Sequence, residues 1–283
     1  MTAYAPFDRA WSRFVHRAVA TDNKYTRGVV GFVTGSEAYP GAAVIGVTAA
    51  IRFGVGMVRF AAADEVAQIL LTARPEAVRV LLDGELPRCD AWVAGSGVAR
   101  GTGDSAEAAW IQCVLDSTVP VVVDAGALQL ADLSSLSGRR ILTPHAGEAV
   151  SLLARVGVIA TRAEVEADAV GAAQQLANLT GAIVLLKGNR SAVAAPGDVF
   201  WHAPSAPAEL ATAGTGDALA GLLGALIAAN PTEDLFELAK FGVWLHSQAA
   251  FELAQTGPIA ALDLAERLRF VVAKLARGEY SNE

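Results

Sequence analysis

A glycine-rich turn opens directly into a strongly apolar segment at residues 213–221, AGTGDALAG. Because Gly214 and Gly216 have no Cβ, the backbone there can come close to an anion, and the first N–H groups of the following helix point towards it. Asp217 would then stand beside a bound phosphate, where it could take a proton from an attacking hydroxyl. An ordinary helix start, in which Asp217 only complements the helix dipole, is the alternative. No Gly-Lys-Ser/Thr follows, so the turn is not a Walker loop.

Strands and helices are predicted to alternate on both sides of this turn, with Gly, Pro or Asp at most of the changes. The predicted strands are Val29–Val33, Met57–Ala61, Val78–Leu82, Ala91–Ala94, Val119–Val123, Arg140–Leu142, Ile183–Leu186, Ser191–Ala194 and Val199–His202. The predicted helices are Ala42–Arg52, Glu65–Thr72, Ser105–Leu115, Ala146–Arg155, Arg162–Leu179, Asp217–Ala229, Leu235–Leu253 and Leu262–Ala276. The alternation predicts a mainly parallel sheet covered on both faces, with ligands at the carboxyl ends of its strands. The last three strands leave no room for helices between them, which predicts a hairpin or meander at one edge, with a tight turn at Gly188-Asn189.

The composition narrows the class of protein. The chain has 283 residues, of which 53% are apolar, so we expect one domain over residues 1–283 with residues 1–23 as an N-terminal leader or helix. No apolar run reaches the roughly 18 residues of a membrane span, and a net charge of −7 argues against nucleic-acid binding. We expect a cytosolic protein without membrane contact, whose two cysteines, Cys89 and Cys113, are reduced and structural.

A second segment that could carry chemistry is Thr143-Pro144-His145-Ala146-Gly147-Glu148, which follows a predicted strand and enters a helix. Three-residue spacing puts His145 and Glu148 on one side of the first helical turn. His145 could contact a substrate, and Glu148 could reach a Mg²⁺ ion through water. The alternative is a structural helix start, with Thr143 as the cap and Glu148 exposed.

Several further loops follow predicted strands. Lys187-Gly188-Asn189-Arg190-Ser191 could offset nucleotide phosphates, although a solvated hairpin tip would look the same. Gly35–Ala42 is bracketed by glycines and leads through Pro40 into a helix, and Gly95-Ser96-Gly97 closes another strand. Asp124 follows Val123 as either a ligand contact or a helix cap. His246, on an apolar helix, is expected to be a hydrogen-bonded core histidine.

Taken in order, these segments resemble the ADP/ATP-dependent NAD(P)H-hydrate dehydratases, a branch of the ribokinase-like superfamily. The resemblance runs from about Lys24 to Leu253, and its most specific elements are Tyr39–Ala42, Thr143–Glu148, Lys187-Gly188 and Ala211–Asp217. It implies a ribokinase-like three-layer α/β/α sandwich. Ser96 and Ala99 stand where Pro and a third Gly are usual, and Ala213 replaces a frequent Gly.

The resemblance also implies roles for individual residues. Asp217 would be the catalytic residue and would contact the hydrated nicotinamide. Ala42, Gly97 and His145 would line the same substrate site. Lys187, Gly188, Asn189, Arg190, Ser191 and Gly216 would hold the adenine nucleotide, Gly214, Thr215 and Gly216 would form the anion hole, and Glu148 would order Mg²⁺ through water.

The implied reaction is dehydration of the S epimer of hydrated NADH or NADPH, with ADP or ATP as co-substrate and Mg²⁺ as cofactor. The short leader leaves no room for the epimerase domain to which the family is often fused, so a separate epimerase is expected. By resemblance the protein would be a homo-oligomer, a tetramer.

The helix start is expected to depress the pKa of Asp217. The alternatives are a kinase for a vitamin-precursor alcohol and a silent nucleotide-sensing module.

Overall fold

The computed structural model describes residues 4–81, 85–98 and 105–280, and its strands form one sheet. The strands are β1 Val29–Val33, β2 Met57–Ala61, β3 Val78–Arg79, β4 Ala91–Ala94, β5 Val121–Val123, β6 Arg140–Leu142, β7 Ile183–Leu186, β8 Ala192–Ala195 and β9 Val199–His202. Their order across the sheet is β3-β2-β1-β4-β5-β6-β7-β8-β9. Neighbours from β3 to β7 are parallel, whereas β7-β8-β9 form an antiparallel meander at one edge, as the sequence predicts.

Helices connect the parallel strands and cover the sheet. They are α1 Pro40–Phe53, α2 Asp64–Ala73, α3 Ala106–Asp116, α4 Gly126–Leu130, α5 Ala146–Arg155, α6 Arg162–Ala167, α7 Ala169–Thr180, α8 Thr215–Ala229, α9 Leu235–Ala254 and α10 Ala261–Ala276. Two 3₁₀ turns, Arg9–Phe14 and Ala208–Leu210, complete the described elements. None of the helices in the described ranges is long and apolar enough to cross a membrane.

Alternate residues of each strand pack into two separate apolar cores, because successive side chains of a strand point to opposite faces of the sheet. Val30 and Phe32 of β1 lie in one core, with the buried sides of α1, α2, α8, α9 and α10. Val29 and Val33 lie in the other, with α3, α4, α5, α6 and α7. The three-layer α/β/α sandwich is therefore confirmed. In the N-terminal segment, Trp11 and Phe14 of the first 3₁₀ turn pack into the first core.

Some element boundaries differ from the prediction. The single helix predicted over Arg162–Leu179 is two helices, because the side chain of Asp168 accepts a hydrogen bond from Gly171 N–H and starts a new helix. The strand predicted to run from Val78 to Leu82 ends at Arg79, and Leu82 lies outside the described residues. The short helix α4 was not predicted.

One close helix crossing positions the site. A Cβ on Gly221 of α8 would lie 2.1 Å from the carbonyl oxygen of Gly46 in α1, so the two backbones are in direct contact there. This contact brings the first turn of α1 beside the first turn of α8. Both helices begin at the edge where β1, β4, β5, β6 and β7 end, which is the edge where ligands bind in open α/β sheets.

Candidate active site

The turn at residues 213–221 forms a helix start whose geometry suits the predicted anion site. Gly214 is the N-cap of α8 and has a φ of +90°, a conformation in which a side chain is strained. The helix begins at Thr215, two residues earlier than predicted. Within the described ranges, the backbone N–H groups of Gly216 and Asp217 have no protein acceptor, whereas that of Ala218 bonds to Gly214 O. Two amide donors are thus left at this helix start for an anion.

Asp217 faces a cleft of approximately 880 Å³, which we call the substrate cleft. Among the residues that line it are Ala42, Gly97, His145, Glu148, Gly214 and Asp217. The structure therefore brings together all four residues predicted to contact the substrate. Ala42 and Gly97 touch closely, since a Cβ on Gly97 would lie 2.4 Å from that of Ala42. Ala99, which stands where the family usually has a third Gly, lies outside the described residues.

A second cavity of approximately 330 Å³, the nucleotide pocket, lies on the other side of the same helix start. Its walls include Lys187, Gly188, Asn189, Ser191, Thr215 and Gly216, together with Leu219, Val243, His246 and Ser247. Five of the six residues predicted to hold the nucleotide thus line one pocket. Arg190 does not: its Nε donates to Ala203 O, and it lines a neighbouring cleft with Arg162 and His202. The two cavities meet at residues 214–217.

A partly buried ion pair joins Lys187, in the wall of the nucleotide pocket, to Asp124. The Lys187 ammonium donates to Asp124 Oδ1 at 2.7 Å, and the same carboxylate accepts from Thr143 Oγ1 and Ser96 Oγ, each at 2.8 Å. Asp124 is only 2% exposed. A Cβ on Gly216 would lie 3.5 Å from Lys187 Nζ, so the ammonium rests against the anion-binding backbone. The network holds a positive charge beside the place predicted for phosphate.

The two carboxylates near Lys187 have pKa values shifted in opposite directions. Burial alone would raise the pKa of Asp124, but the Lys187 ammonium and the bonds from Lys187, Ser96 and Thr143 hold it below its ordinary value. Burial, and then the negative charge of Asp124, raise the pKa of Asp217 to about 6, against a smaller lowering by Lys187. The prediction that the pKa of Asp217 is depressed is therefore wrong, because desolvation and the charge of Asp124 outweigh the lowering by Lys187.

His145 and Glu148 form a capping box at the start of α5. Glu148 N–H donates to His145 Nδ1 at 3.2 Å, and His145 N–H donates to Glu148 Oε2 at 3.0 Å. Glu148 is 4% exposed, so the alternative of an exposed Glu148 with Thr143 as the cap is wrong. The Thr143 hydroxyl instead donates to Asp124. The His145 side chain thus lines the substrate cleft.

Sequence reasoning missed most of the environment of Asp124. It is neither a helix cap nor a side chain that lines either cavity, since its carboxylate is occupied by Lys187, Thr143 and Ser96. The only signal was its place directly after a buried strand. The departure at Ser96 has a structural role, because the hydroxyl supplies a donor that Pro lacks. Nothing in the sequence of α9 marked its residues as a wall of the nucleotide pocket.

The fold is that of a ribokinase-like α/β protein, with two cavities that meet at the start of α8. A family model described as NAD(P)H-hydrate dehydratase matches residues 30–269, and the chain belongs to this family. The resemblance that the sequence motifs indicate is therefore confirmed.

Individual relatives agree with this assignment. The ADP-dependent (S)-NAD(P)H-hydrate dehydratase of Neisseria meningitidis is 36% identical over 263 residues, 88% of this chain and 86% of the relative. The bifunctional NAD(P)H-hydrate repair enzyme Nnr of Mycobacterium tuberculosis is 42% identical over 214 residues, 74% of this chain but only 42% of the relative. The chain thus spans less than half the length of the bifunctional relative.

A crystal structure supports the likeness of the fold. The ADP/ATP-dependent NAD(P)H-hydrate dehydratase of Bacillus subtilis, crystallised with ATP and Mg²⁺, superposes with a TM-score of 0.79 at 26% identity. The match covers 97% of this chain and 100% of the Bacillus chain.

Proposed function

We propose that the protein dehydrates the S epimer of hydrated NADH and NADPH, with release of phosphate and of AMP from ADP or ADP from ATP. One observation carries the proposal: a substrate cleft with Asp217 and a nucleotide pocket with Lys187 meet at a single anion-binding helix start. A phosphoryl group bound there would contact both cavities. The names of the relatives in Neisseria and Bacillus support the same reaction.

The proposed chemistry converts a poor leaving group into a good one. The ring hydroxyl of the hydrate attacks the terminal phosphorus of the nucleotide, an O–P bond forms, and the bond to the departing nucleotide breaks. The phosphate ester then leaves as inorganic phosphate when the ring C–O bond breaks, and loss of a proton from the neighbouring ring carbon restores the double bond. The net reaction converts hydrate and ADP into NAD(P)H, AMP and phosphate.

Asp217 is the proposed base. A pKa of about 6 leaves most of the carboxylate ionised at neutral pH and makes it a stronger base than an ordinary aspartate. Among the described residues, no donor bonds to its side chain, so its lone pairs face the cleft without a protein partner. It would take the proton of the attacking hydroxyl.

The backbone of α8 and Lys187 supply the charge stabilisation. In phosphoryl transfer, positioning and fixed positive charge contribute more than basicity. The N–H groups of Gly216 and Asp217 would donate to the transferring phosphoryl group, and the Lys187 ammonium lies beside Gly216. Asp124 holds that ammonium in place.

A magnesium ion fits the residues present if phosphate and water supply most of its ligands. Glu148 and Asp217 both line the substrate cleft, and within the described ranges no group of three His, Cys, Asp or Glu side chains could hold a metal alone. Mg²⁺ is commonly held by one or two carboxylates together with substrate phosphates and water. When bound, it would neutralise charge on the phosphates, and Glu148 is the residue proposed to order it.

The finer proposals concern partners, assembly and location. Because the proposed substrate is one epimer, a separate epimerase acting on the other would complete the repair. A homo-oligomer is supported by edge strand β9, where Val199 and Phe200 are exposed. Light scattering coupled to gel filtration tests the assembly. The proposed location is the cytosol, where cell fractionation should find the protein.

The decisive experiment follows NADH absorbance while the protein is incubated with hydrated NADH, Mg²⁺ and ADP or ATP. We expect NADH to return only with a hydrolysable nucleotide, and one phosphate to be released per NADH. Full-rate recovery without nucleotide would contradict the mechanism. A stable phosphorylated product without NADH would indicate a kinase, and binding without phosphate release would indicate a sensing module.

A matched pair of alanine variants tests the assignment of the two cavities. Ala208 and Ala213 are both exposed, but Ala208 lines the nucleotide pocket and Ala213 lines the substrate cleft. We expect Ala208→Phe to raise KM for the nucleotide and Ala213→Phe to raise KM for the hydrate, each by about tenfold, a typical cost of a steric misfit. If Ala208→Phe instead raised KM for the hydrate and Ala213→Phe raised KM for the nucleotide, the assignments of the two cavities would have to be exchanged.

A further inference from the structure

His246 connects α9 to the start of α8 in the wall of the nucleotide pocket. The residue is 6% exposed, and its Nε2 atom lies 2.9 Å from the carbonyl oxygen of Thr215, the first residue of α8. The expectation of a hydrogen-bonded core histidine is therefore confirmed. Its partner is the backbone of the anion site rather than a side chain elsewhere in the core.

The protonation state of His246 follows from this contact. A carbonyl oxygen can only accept, so Nε2 carries a proton and donates it. Burial lowers the pKa of His246, the bond to Thr215 partly opposes this change, and the positive charge of Lys187 adds to the lowering, so that the pKa is about 4. At neutral pH the ring is therefore neutral, with its single proton on Nε2.

The bond also supports the orientation of the neighbouring amide, which is set together with it by the first turn of α8. Thr215 C=O and Gly216 N–H belong to one peptide unit, and the described chain contains no cis peptide. In a planar trans peptide the C=O and N–H point in opposite directions. Because His246 holds the carbonyl on one side, the Gly216 N–H is directed to the other, where it has no acceptor among the described residues.

We infer that His246 is a positioning residue for phosphoryl transfer, whose Nε2–H bond to the Thr215 carbonyl holds the Gly216 N–H in line with the transferring phosphoryl group. The inference rests on the proposed function and adds to it a residue that never touches the reacting atoms. Its side chain acts through a single peptide unit. Donors of this kind stabilise the charge that develops in the transition state, so their alignment affects kcat more than binding.

Three variants separate positioning from general stability. His246→Leu removes the donor and fills its place with an apolar side chain. We expect kcat to fall about 10- to 100-fold, and this loss to be at least ten times larger than the loss of AMP affinity. His246→Gln keeps an N–H donor, and we expect it to recover kcat to within about threefold of wild type. Leu245→Ala, at a neighbouring core position away from both cavities, controls for lost stability. All variants are compared well below their thermal midpoints.

Several outcomes would overturn the inference. One is a folded His246→Leu protein whose kcat is within about threefold of wild type, and another is a variant that loses kcat and AMP affinity equally. The inference also fails if the Gln variant is as slow as the Leu variant, or if Leu245→Ala lowers kcat as much as His246→Leu does. If His246→Leu does not fold, the ¹⁵N spectrum of histidine-labelled wild-type protein decides. A proton on Nε2 that persists from about pH 5.5 to 8 supports the inference, and a proton on Nδ1 or a titration in that range overturns it. This spectrum does not depend on turnover, so failure of the proposed function, seen as inactive wild-type protein, remains distinguishable.

Discussion

The end of β5 and the start of α8 each place a carboxylate near Lys187, but Asp124 is buried whereas Asp217 is half-buried and lines the substrate cleft. Asp124, at the end of β5, accepts hydrogen bonds from Lys187, Thr143 and Ser96, and its pKa is lowered. Asp217, at the start of α8, has no side-chain donor among the described residues, and its pKa is raised to about 6. Environments that push two neighbouring pKa values apart are typical of sites that separate a fixed charge from a working base.

The comparison shows that one lysine serves both carboxylates unequally. Its ammonium bonds directly to Asp124, while Glu148 and Asp217 act on it only through their charges. Asp124 therefore holds Lys187 through a direct ion pair, and the negative charge of Asp124 also raises the pKa of Asp217. The pKa of Asp217, at the start of α8, therefore depends on the side chain at the end of β5.

The largest expected effect comes from Asp217→Asn. The variant keeps size and the helix start, so it should fold and bind nucleotide through the backbone N–H groups. Without the base, kcat should fall by about 10²-fold or more. Asp263→Asn is the matched control, because Asp263 is an exposed acid in the first turn of α10 and only complements a helix dipole. Paired measurements of nucleotide affinity and turnover check both variants. Near-normal turnover in Asp217→Asn would remove the residue from the chemistry.

The second expected effect tests the coupling between the two regions. Asp124→Asn leaves the buried Lys187 without its counterion and should cost about 3 kcal/mol of unfolding free energy. Removal of the negative charge, and release of Lys187 towards Asp217, should both lower the pKa of Asp217. The acid limb of kcat/KM should then move below pH 6. Ser96→Ala, which removes one hydrogen bond but keeps the charge, should leave the limb in place. Denaturant titrations and pH profiles of the two variants give the answer, and an unmoved limb in Asp124→Asn would break the proposed coupling.

The sequence predicted the framework and most of the residues that line the two cavities, but not the electrostatics around them. Periodicity found the strands and the edge meander, because buried runs and glycine turns are local signals. The motif at residues 213–221 indicated the glycine turn and the helix start for the same reason. The bond between Asp124 and Lys187 joins residues 63 positions apart, and no local pattern encodes it. The pKa of Asp217 was predicted in the wrong direction because the helix dipole is visible in sequence, whereas burial is not.

The third expected effect concerns the pH dependence of the wild-type protein. With a base whose pKa is about 6, the ionised fraction falls from about nine-tenths at pH 7 to about one-tenth at pH 5, so kcat/KM should fall about tenfold. An aspartate with an ordinary pKa would give a nearly flat profile over this range. Circular dichroism at each pH controls for unfolding. A flat profile for folded protein would show that the environment of Asp217 resembles that of Asp124 after all.

The smallest expected effect is on stability, and it has the opposite sign to the effect on catalysis. A carboxyl whose pKa rises from 3.8 to about 6 on folding stabilises the protein below about pH 4, and that contribution is lost as pH rises through about 6. Ionised Asp217 therefore costs on the order of 3 kcal/mol at pH 7, since each pKa unit corresponds to about 1.4 kcal/mol. Asn carries no charge to desolvate, so Asp217→Asn should be more stable than wild type at pH 7, with a thermal midpoint roughly 5 °C higher. At about pH 4, where the aspartate is protonated, the midpoints should nearly coincide. Calorimetry of both proteins at the two pH values measures the difference. A variant less stable than wild type at pH 7 would mean that the charge of Asp217 is stabilised by its surroundings, as that of Asp124 is, and the contrast between the two regions would fail.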